Sequence, residues 1–187
     1  VAEDLGIKVD DLCRVYLPVL KNFGASGLLR DDVQINEQNT TIEYVPFRNT
    51  VLLAVALMRA ELVGAKYVAI GANCDDTLAP DGTPSYIKAI NDVIQAVDAH
   101  IPSVIAPLLG FGGKPEIVRT GIDLGVDFSH TWSCHAYIPP QEVGLDAKAC
   151  GTCSNCATRY SAFDKLGLKD PVGYNQIPKL RTKSRKS

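Results

Sequence analysis

At 187 residues and 46% apolar content, the chain is long enough and apolar enough to bury a core. No stretch approaches the roughly 18 apolar residues of a membrane span, and no charged-then-apolar leader opens it. A formal charge of −2 argues against a protein built mainly to neutralise phosphate backbones, so a soluble, cytoplasmic domain without membrane or nucleic-acid partners is expected.

The chain opens without an initiator Met. Val1–Leu5 reads as the last turns of a helix closed by Gly6. "DLCRVYLP" (Asp11–Pro18) mixes β-branched and aromatic residues and predicts a short strand. "GASGLLRDDVQINEQNTTIEYVPF" is polar and turn-rich and predicts a long connection, of the kind that often carries function. "RNTVLLAVALMRAELVGA" from Arg48 is apolar almost all round and predicts a helix buried on several sides, stopped at Gly64.

"KYVAIGANCDD" follows as a buried strand running into a Gly/Asn/Asp turn. Thr83 and Pro84 supply the N-cap and first position of the next helix, which ends near His100. "SVIAPLLGFGG" is a further strand, and "KPEIVRTGIDLG" is a helix with Pro115 near its start and Gly125 past its end. "CATRYSAFDKLG" (Cys156–Gly167) reads as a C-terminal helix, and "PKLRTKSRKS" as a basic, solvated tail. Alternating strands and helices of these lengths imply an α/β fold built on parallel βαβ units.

Open α/β sheets bind ligands at the carboxyl ends of their strands. That topology gathers Arg48, Asn49, Asp75, Asp76, Asp81, Lys114 and Glu116 around one pocket.

Four of the six cysteines lie between Cys134 and Cys156, the last three as Cys150-x-x-Cys153-x-x-Cys156. Zinc takes four tetrahedral sulfur ligands, and such turns place two sulfurs on one ion. Four protein ligands leave no position for water, so a site of this kind is structural. An iron–sulfur cluster also accepts four cysteines, and disulfides are the third option, disfavoured in a cytosolic chain. Zinc is the favoured reading. Cys13 and Cys74 read as buried inert thiols, and His135 as a neighbour of the knuckle rather than a ligand.

"EYVPFRN" (Glu43–Asn49), "IGAN" with "PDGTPSY", "KPEIVRTGIDLGV" and "TWSC…CGTCSNCATRYSAF" stand in the order found in 7-cyano-7-deazaguanine synthases. The chain resembles that family, QueC, from about Ala2 to Tyr174. The resemblance implies a Rossmann-like PP-loop domain of the adenine nucleotide alpha hydrolase type over residues 1–130. It implies a four-cysteine zinc knuckle and helix over 131–174, followed by the basic tail 175–187. The implied activity is ATP-dependent conversion of 7-carboxy-7-deazaguanine and ammonia to the nitrile preQ0, with Mg2+ accompanying ATP and a homodimer as the assembly. By resemblance, Arg48 and Lys114 are catalytic, with Lys114 meeting phosphate charge, Asn49 faces the nucleotide–substrate pocket, Asp81 is a hydrogen-bond partner for the base, and Cys134, Cys150, Cys153 and Cys156 hold zinc. Asp75 and Glu116 join the nucleotide- and substrate-binding set from the sheet topology. Glu116 also reads as a first-turn acid favouring its helix dipole.

The chain departs from the family at three places. No Ser-Gly-Gly-x-Asp-Ser phosphate loop is present, so an upstream segment carrying the first strand, loop and helix is expected. Pro80-Asp81-Gly82 replaces Pro-Asp-Cys-Arg, and the loop between Cys134 and Cys150 is long. Two alternatives follow: a non-catalytic zinc-binding module that contacts nucleic acid through its tail, and a PP-loop ligase acting on another substrate.

Overall fold

The computed structural model describes residues 15–23, 26–30, 43–75, 79–97, 102–136 and 147–179. In chain order these form α1 (Val19–Phe23), α2 (Arg48–Leu62), β1 (Tyr67–Ala69), α3 (Pro84–Val97), β2 (Ser103–Ile105), α4 (Lys114–Asp123), β3 (Lys148–Ala149), α5 (Ser154–Asp164) and β4 (Gly173–Tyr174). Single 3-10 turns stand at Pro80–Gly82, Pro107–Gly110 and Phe128–His130. The helix end at Val1–Leu5, Cys13, Gly24, Asp76, His100, residues 137–146 and the tail beyond Lys179 lie outside the described residues.

The fold is mixed α/β with parallel strands. β1 and β2 pair in parallel, Tyr67 with Ser103, Val68 with Val104 and Ala69 with Ile105, and α3 lies between them in the chain. Parallel neighbours require such a crossover. A second parallel pair, β3 with β4, closes the C-terminal region.

Helix boundaries follow local chemistry. Thr83 caps α3 by accepting from the Tyr86 N–H at 3.2 Å, with Pro84 in the first turn. α2 ends at Gly64, whose φ of 67° lets the Ala65 N–H reach back to the Ala60 carbonyl at 2.9 Å. Val126 makes the equivalent bond to Gly121 past the end of α4.

Leu53, Ala60, Val68, Ile87, Ile94 and Val104 form the main core between α2, α3 and the β1–β2 pair. Asn91 of α3 finishes the outer edge of β2: its amide donates to the Val104 carbonyl at 2.9 Å and accepts from the Val104 N–H at 2.8 Å. The side chain thus stands in for a neighbouring strand. Val118, Ala162 and Phe163 join α4 to α5, with Phe128 meeting Phe163 edge-to-face at 5.5 Å.

Three expectations are corrected. Val15–Pro18, the described part of the first predicted strand, is irregular and leads into α1, because nothing described pairs with it and Pro18 favours a helix start. α2 buries one face, not several: Leu53 and Ala60 are buried, while Leu52, Met58 and Leu62 are exposed. Among the described residues it packs chiefly on β1 and the Pro80–Gly82 turn. Cys74 is exposed, its thiol 3.3 Å from the Phe111 carbonyl, because it stands on the turn beyond β1 rather than within the strand. No helix among the described residues is long and apolar enough to cross a membrane.

Candidate functional site: a cavity between the strand ends and a cysteine cluster

A cavity of about 580 Å3 opens beyond the carboxyl end of β1, a volume typical of small-molecule sites. Arg48, Asn49, Asp75, Asp81 and Lys114 all line it, as does Cys134. Glu116 does not line it. Its carboxylate accepts from the Gly112 N–H at 2.6 Å, tying down the turn that leads into Lys114.

Two of the acids are held by helix starts. Phe47 precedes α2 with a left-handed φ of 52° and no side-chain cap, which leaves the first N–H groups to find other acceptors. Asp81, 5% exposed, supplies one, accepting from the Asn49 N–H at 2.8 Å. The Asn49 amide in turn donates to the Asp81 carbonyl at 3.1 Å. At the next helix start, Asp75 accepts from the Lys114 N–H at 2.7 Å. Both carboxylates therefore serve as caps delivered from distant loops, while the side chains of Arg48 and Lys114 stand on the cavity wall.

A further part of the lining comes from the segments around the cysteines. Glu43, on the sequence side just before α2, has a side chain only 10% exposed. It accepts from the Ser154 hydroxyl at 2.6 Å and the Asn155 amide at 3.4 Å, with His135 Nδ1 at 3.3 Å. All four residues line the cavity, together with Trp132. Sequence reasoning missed Glu43 and Trp132 as site residues and left His135 a bystander. The signal was present, since Glu43 opens the "EYVPFRN" stretch and Trp132 sits in "TWSC", but nothing in either stretch names its partners.

The sulfur atoms of Cys134, Cys150, Cys153 and Cys156 lie within 4.8 Å of one another. Two separations are 3.4 and 3.8 Å, against an edge of about 3.8 Å for a tetrahedron with zinc–sulfur bonds of about 2.3 Å. All four thiols are free, which removes the disulfide alternative for them. The Cys153 thiol, at the N-cap of α5, is pulled far below its ordinary range, first by side-chain hydrogen bonding with Cys134 and Cys156 and then by backbone N–H groups of His135 and Cys156. The same sharing pushes Cys134 up to about 11, and Cys156 higher still. Metal ligation needs thiolates, so a cation at their centre would displace thiol protons. The donor set fits a metal ion.

Gly151 makes the turn between Cys150 and Cys153 at φ 79°, and a Cβ there would lie 1.6 Å from the Gln176 carbonyl oxygen. Only glycine allows that approach. Arg159 then braces the wall. Its guanidinium is bidentate on Asp170 at 2.8 and 2.9 Å and also donates to the Phe128 carbonyl and to Thr131, the residue before Trp132. Asp170 also accepts from the Tyr174 hydroxyl at 2.5 Å. Burial, reinforced by that bond, holds the Tyr174 phenol well above the ordinary tyrosine range.

The family model described as "Queuosine biosynthesis protein QueC" matches residues 1–167. The chain belongs to the QueC family. Three relatives, each called 7-cyano-7-deazaguanine synthase, share 37% identity with it. The one from Nostoc sp. (strain PCC 7120 / SAG 25.82 / UTEX 2576) aligns over 169 residues, 83% of this chain and 70% of the relative. That from Halobacterium salinarum (strain ATCC 29341 / DSM 671 / R1) aligns over 186 residues, 95% and 77%. That from Rickettsia bellii (strain OSU 85-389) aligns over 165 residues, 83% and 70%. QueC membership agrees with the family to which the sequence motifs pointed.

Proposed function

We propose that the chain carries the activity for which its relatives are named, as an ATP-dependent ligase that turns 7-carboxy-7-deazaguanine and ammonia into 7-cyano-7-deazaguanine. The single observation that carries this reading is the cavity of about 580 Å3, whose lining joins two cations at the strand ends to residues around the cysteine cluster in a QueC chain. The finer assignment of a Rossmann-like PP-loop domain, with its C-terminal knuckle and basic tail, belongs to the same proposal.

The substrate carboxylate attacks the α-phosphate of ATP, releasing pyrophosphate and forming an acyl adenylate. Ammonia adds to the acyl carbon, AMP leaves and a proton is lost, giving the amide. The amide oxygen attacks the α-phosphate of a second ATP, releasing pyrophosphate and one N–H proton, and departure of AMP with loss of the remaining N–H proton gives the nitrile. Arg48 and Lys114 offset the charge that grows on the phosphates in each activation, in a recess where water would otherwise hydrolyse the adenylate. Mg2+ accompanies ATP. Asp81 and Asp75 hold the starts of α2 and α4, which orients Arg48, Asn49 and Lys114. Glu116 acts at one remove through Gly112.

Zinc is the metal we assign to the four cysteines, for structure and not for the reaction. Cys134, Cys150, Cys153 and Cys156 would hold it, tying the start of α5 to the cavity wall. The homodimer that the family resemblance implies is part of the same proposal.

The test is pyrophosphate release by the purified protein, with product mass read in parallel. The reading expects release that needs both the carboxy-deazaguanine and ammonia, with the nitrile as product. ATP binding without such turnover would refute it.

A further inference from the structure

The cavity has to read a flat, guanine-like base, and the charged residues at the strand ends do not supply that recognition. Asp81, the carboxylate that the sequence suggested for it, is spent on the Asn49 N–H and is 5% exposed. Asp75 caps α4 through the Lys114 N–H and so stands beside a phosphate-binding cation. Glu43 is different. Its carboxylate lines the cavity beside the cysteine segments, nine-tenths buried, and two of its three contacts are long, at 3.3 and 3.4 Å.

We infer that Glu43 is the residue that reads the guanine-type edge of the substrate; this rests on the function proposed above. A carboxylate only accepts hydrogen bonds, and its two oxygens offer about four lone-pair sites. The guanine edge presents two adjacent donors, the ring N–H and the exocyclic amino group, at nearly the spacing of those oxygens. Ser154 anchors one oxygen at 2.6 Å, leaving lone pairs on both for the base. The neighbouring carbonyl of the base needs a donor, and the Asn155 amide, now shared between Glu43 and His135, stands beside it. An adenine-type edge would set a ring-nitrogen lone pair against the carboxylate and be rejected. Trp132, 43% exposed on the same cavity, offers an apolar face against which a planar heterocycle can stack.

This placement assigns a division of labour. The Arg48–Lys114 wall handles phosphate, and the Glu43 wall handles the base, tethered through Ser154 and Asn155 to the helix that starts at the cysteine cluster. Base selection is thereby coupled to an intact knuckle.

The experiment compares 7-carboxy-7-deazaguanine with its analogue lacking the 2-amino group, 7-carboxy-7-deazahypoxanthine. Wild type, Glu43→Gln and Glu43→Asp full-length proteins are compared by kcat/KM for pyrophosphate release. Wild type is expected to prefer the amino-bearing substrate by about 10- to 100-fold, the worth of one hydrogen bond to a charged group. Glu43→Gln should lose most of that preference while keeping its metal content and its ATP affinity. A merely structural role for Glu43 would lower both substrates alike and leave the ratio unchanged, and that result overturns the inference. So does a wild type that uses both substrates equally, which needs no variant to fold. Should Glu43→Gln be insoluble, Glu43→Asp, which keeps the charge but retracts it, must narrow the ratio for the inference to stand. A wild type that turns over neither substrate refutes the proposed function instead.

Discussion

Replacing Arg159 with Met should strongly destabilise the C-terminal half. Arg159 and Asp170 have side chains only 9% and 2% exposed, and they share two hydrogen bonds at 2.8 and 2.9 Å. Among the described residues, removing the guanidinium leaves the Asp170 carboxylate buried with only the Val172 N–H and the Tyr174 hydroxyl for company. Breaking a buried pair from one side costs about 3–5 kcal/mol, a large share of the roughly 5–15 kcal/mol that holds a typical domain together. With a urea slope of about 2 kcal/mol/M, the unfolding midpoint should fall by about 1.5–2.5 M. Trp132, the chain's single tryptophan, follows Thr131 and reports the transition by fluorescence. Adding Asp170→Asn to Arg159→Met removes the stranded charge yet keeps an acceptor for Val172 and Tyr174. The double variant should therefore regain more than about 1 kcal/mol over the single one. A single variant that shifts the midpoint by less than about 0.5 M, or a double variant weaker than the single, would refute this account of what braces the cavity wall.

Further outcomes are expected. Cys153→Ser should release bound metal and loosen the region from Cys134 to Tyr174, because α5 starts on that sulfur; a variant that loses metal but keeps its thermal midpoint would count against a structural role. Gly151→Ala should weaken metal retention and stability together, since its Cβ meets the Gln176 carbonyl at 1.6 Å; metal analysis and a thermal melt check it. Asn91→Ala strips the Val104 N–H and carbonyl of their partners and should cost about 2 kcal/mol or more, with faster amide exchange at Val104. Lys114→Ala and Arg48→Ala should each lower kcat/KM for pyrophosphate release by about 100-fold or more with the fold intact. Unchanged kinetics in both would move phosphate binding away from this wall.

Short-range chemistry was legible in the sequence. Thr83-Pro84 and the glycines at 64 and 125 marked helix ends because a cap is decided within about four residues. The spacing of Cys150, Cys153 and Cys156 announced a knuckle for the same reason, and the quoted motifs carried the family. Which carboxylate faces the cavity was not legible. Asp75, Asp81 and Glu43 are all short acids in turn-rich stretches, and composition treats them alike. Their fates diverge only when the chain returns over long separations, with Asp81 meeting Asn49, Asp75 meeting Lys114 and Glu43 meeting Ser154. The exposed side of α2 has the same origin: an apolar helix declares what it can bury, and its neighbours decide what it does bury. A cap or a knuckle is written in the local backbone, whereas the partner of a carboxylate depends on where distant loops close, and only the tertiary structure settles that.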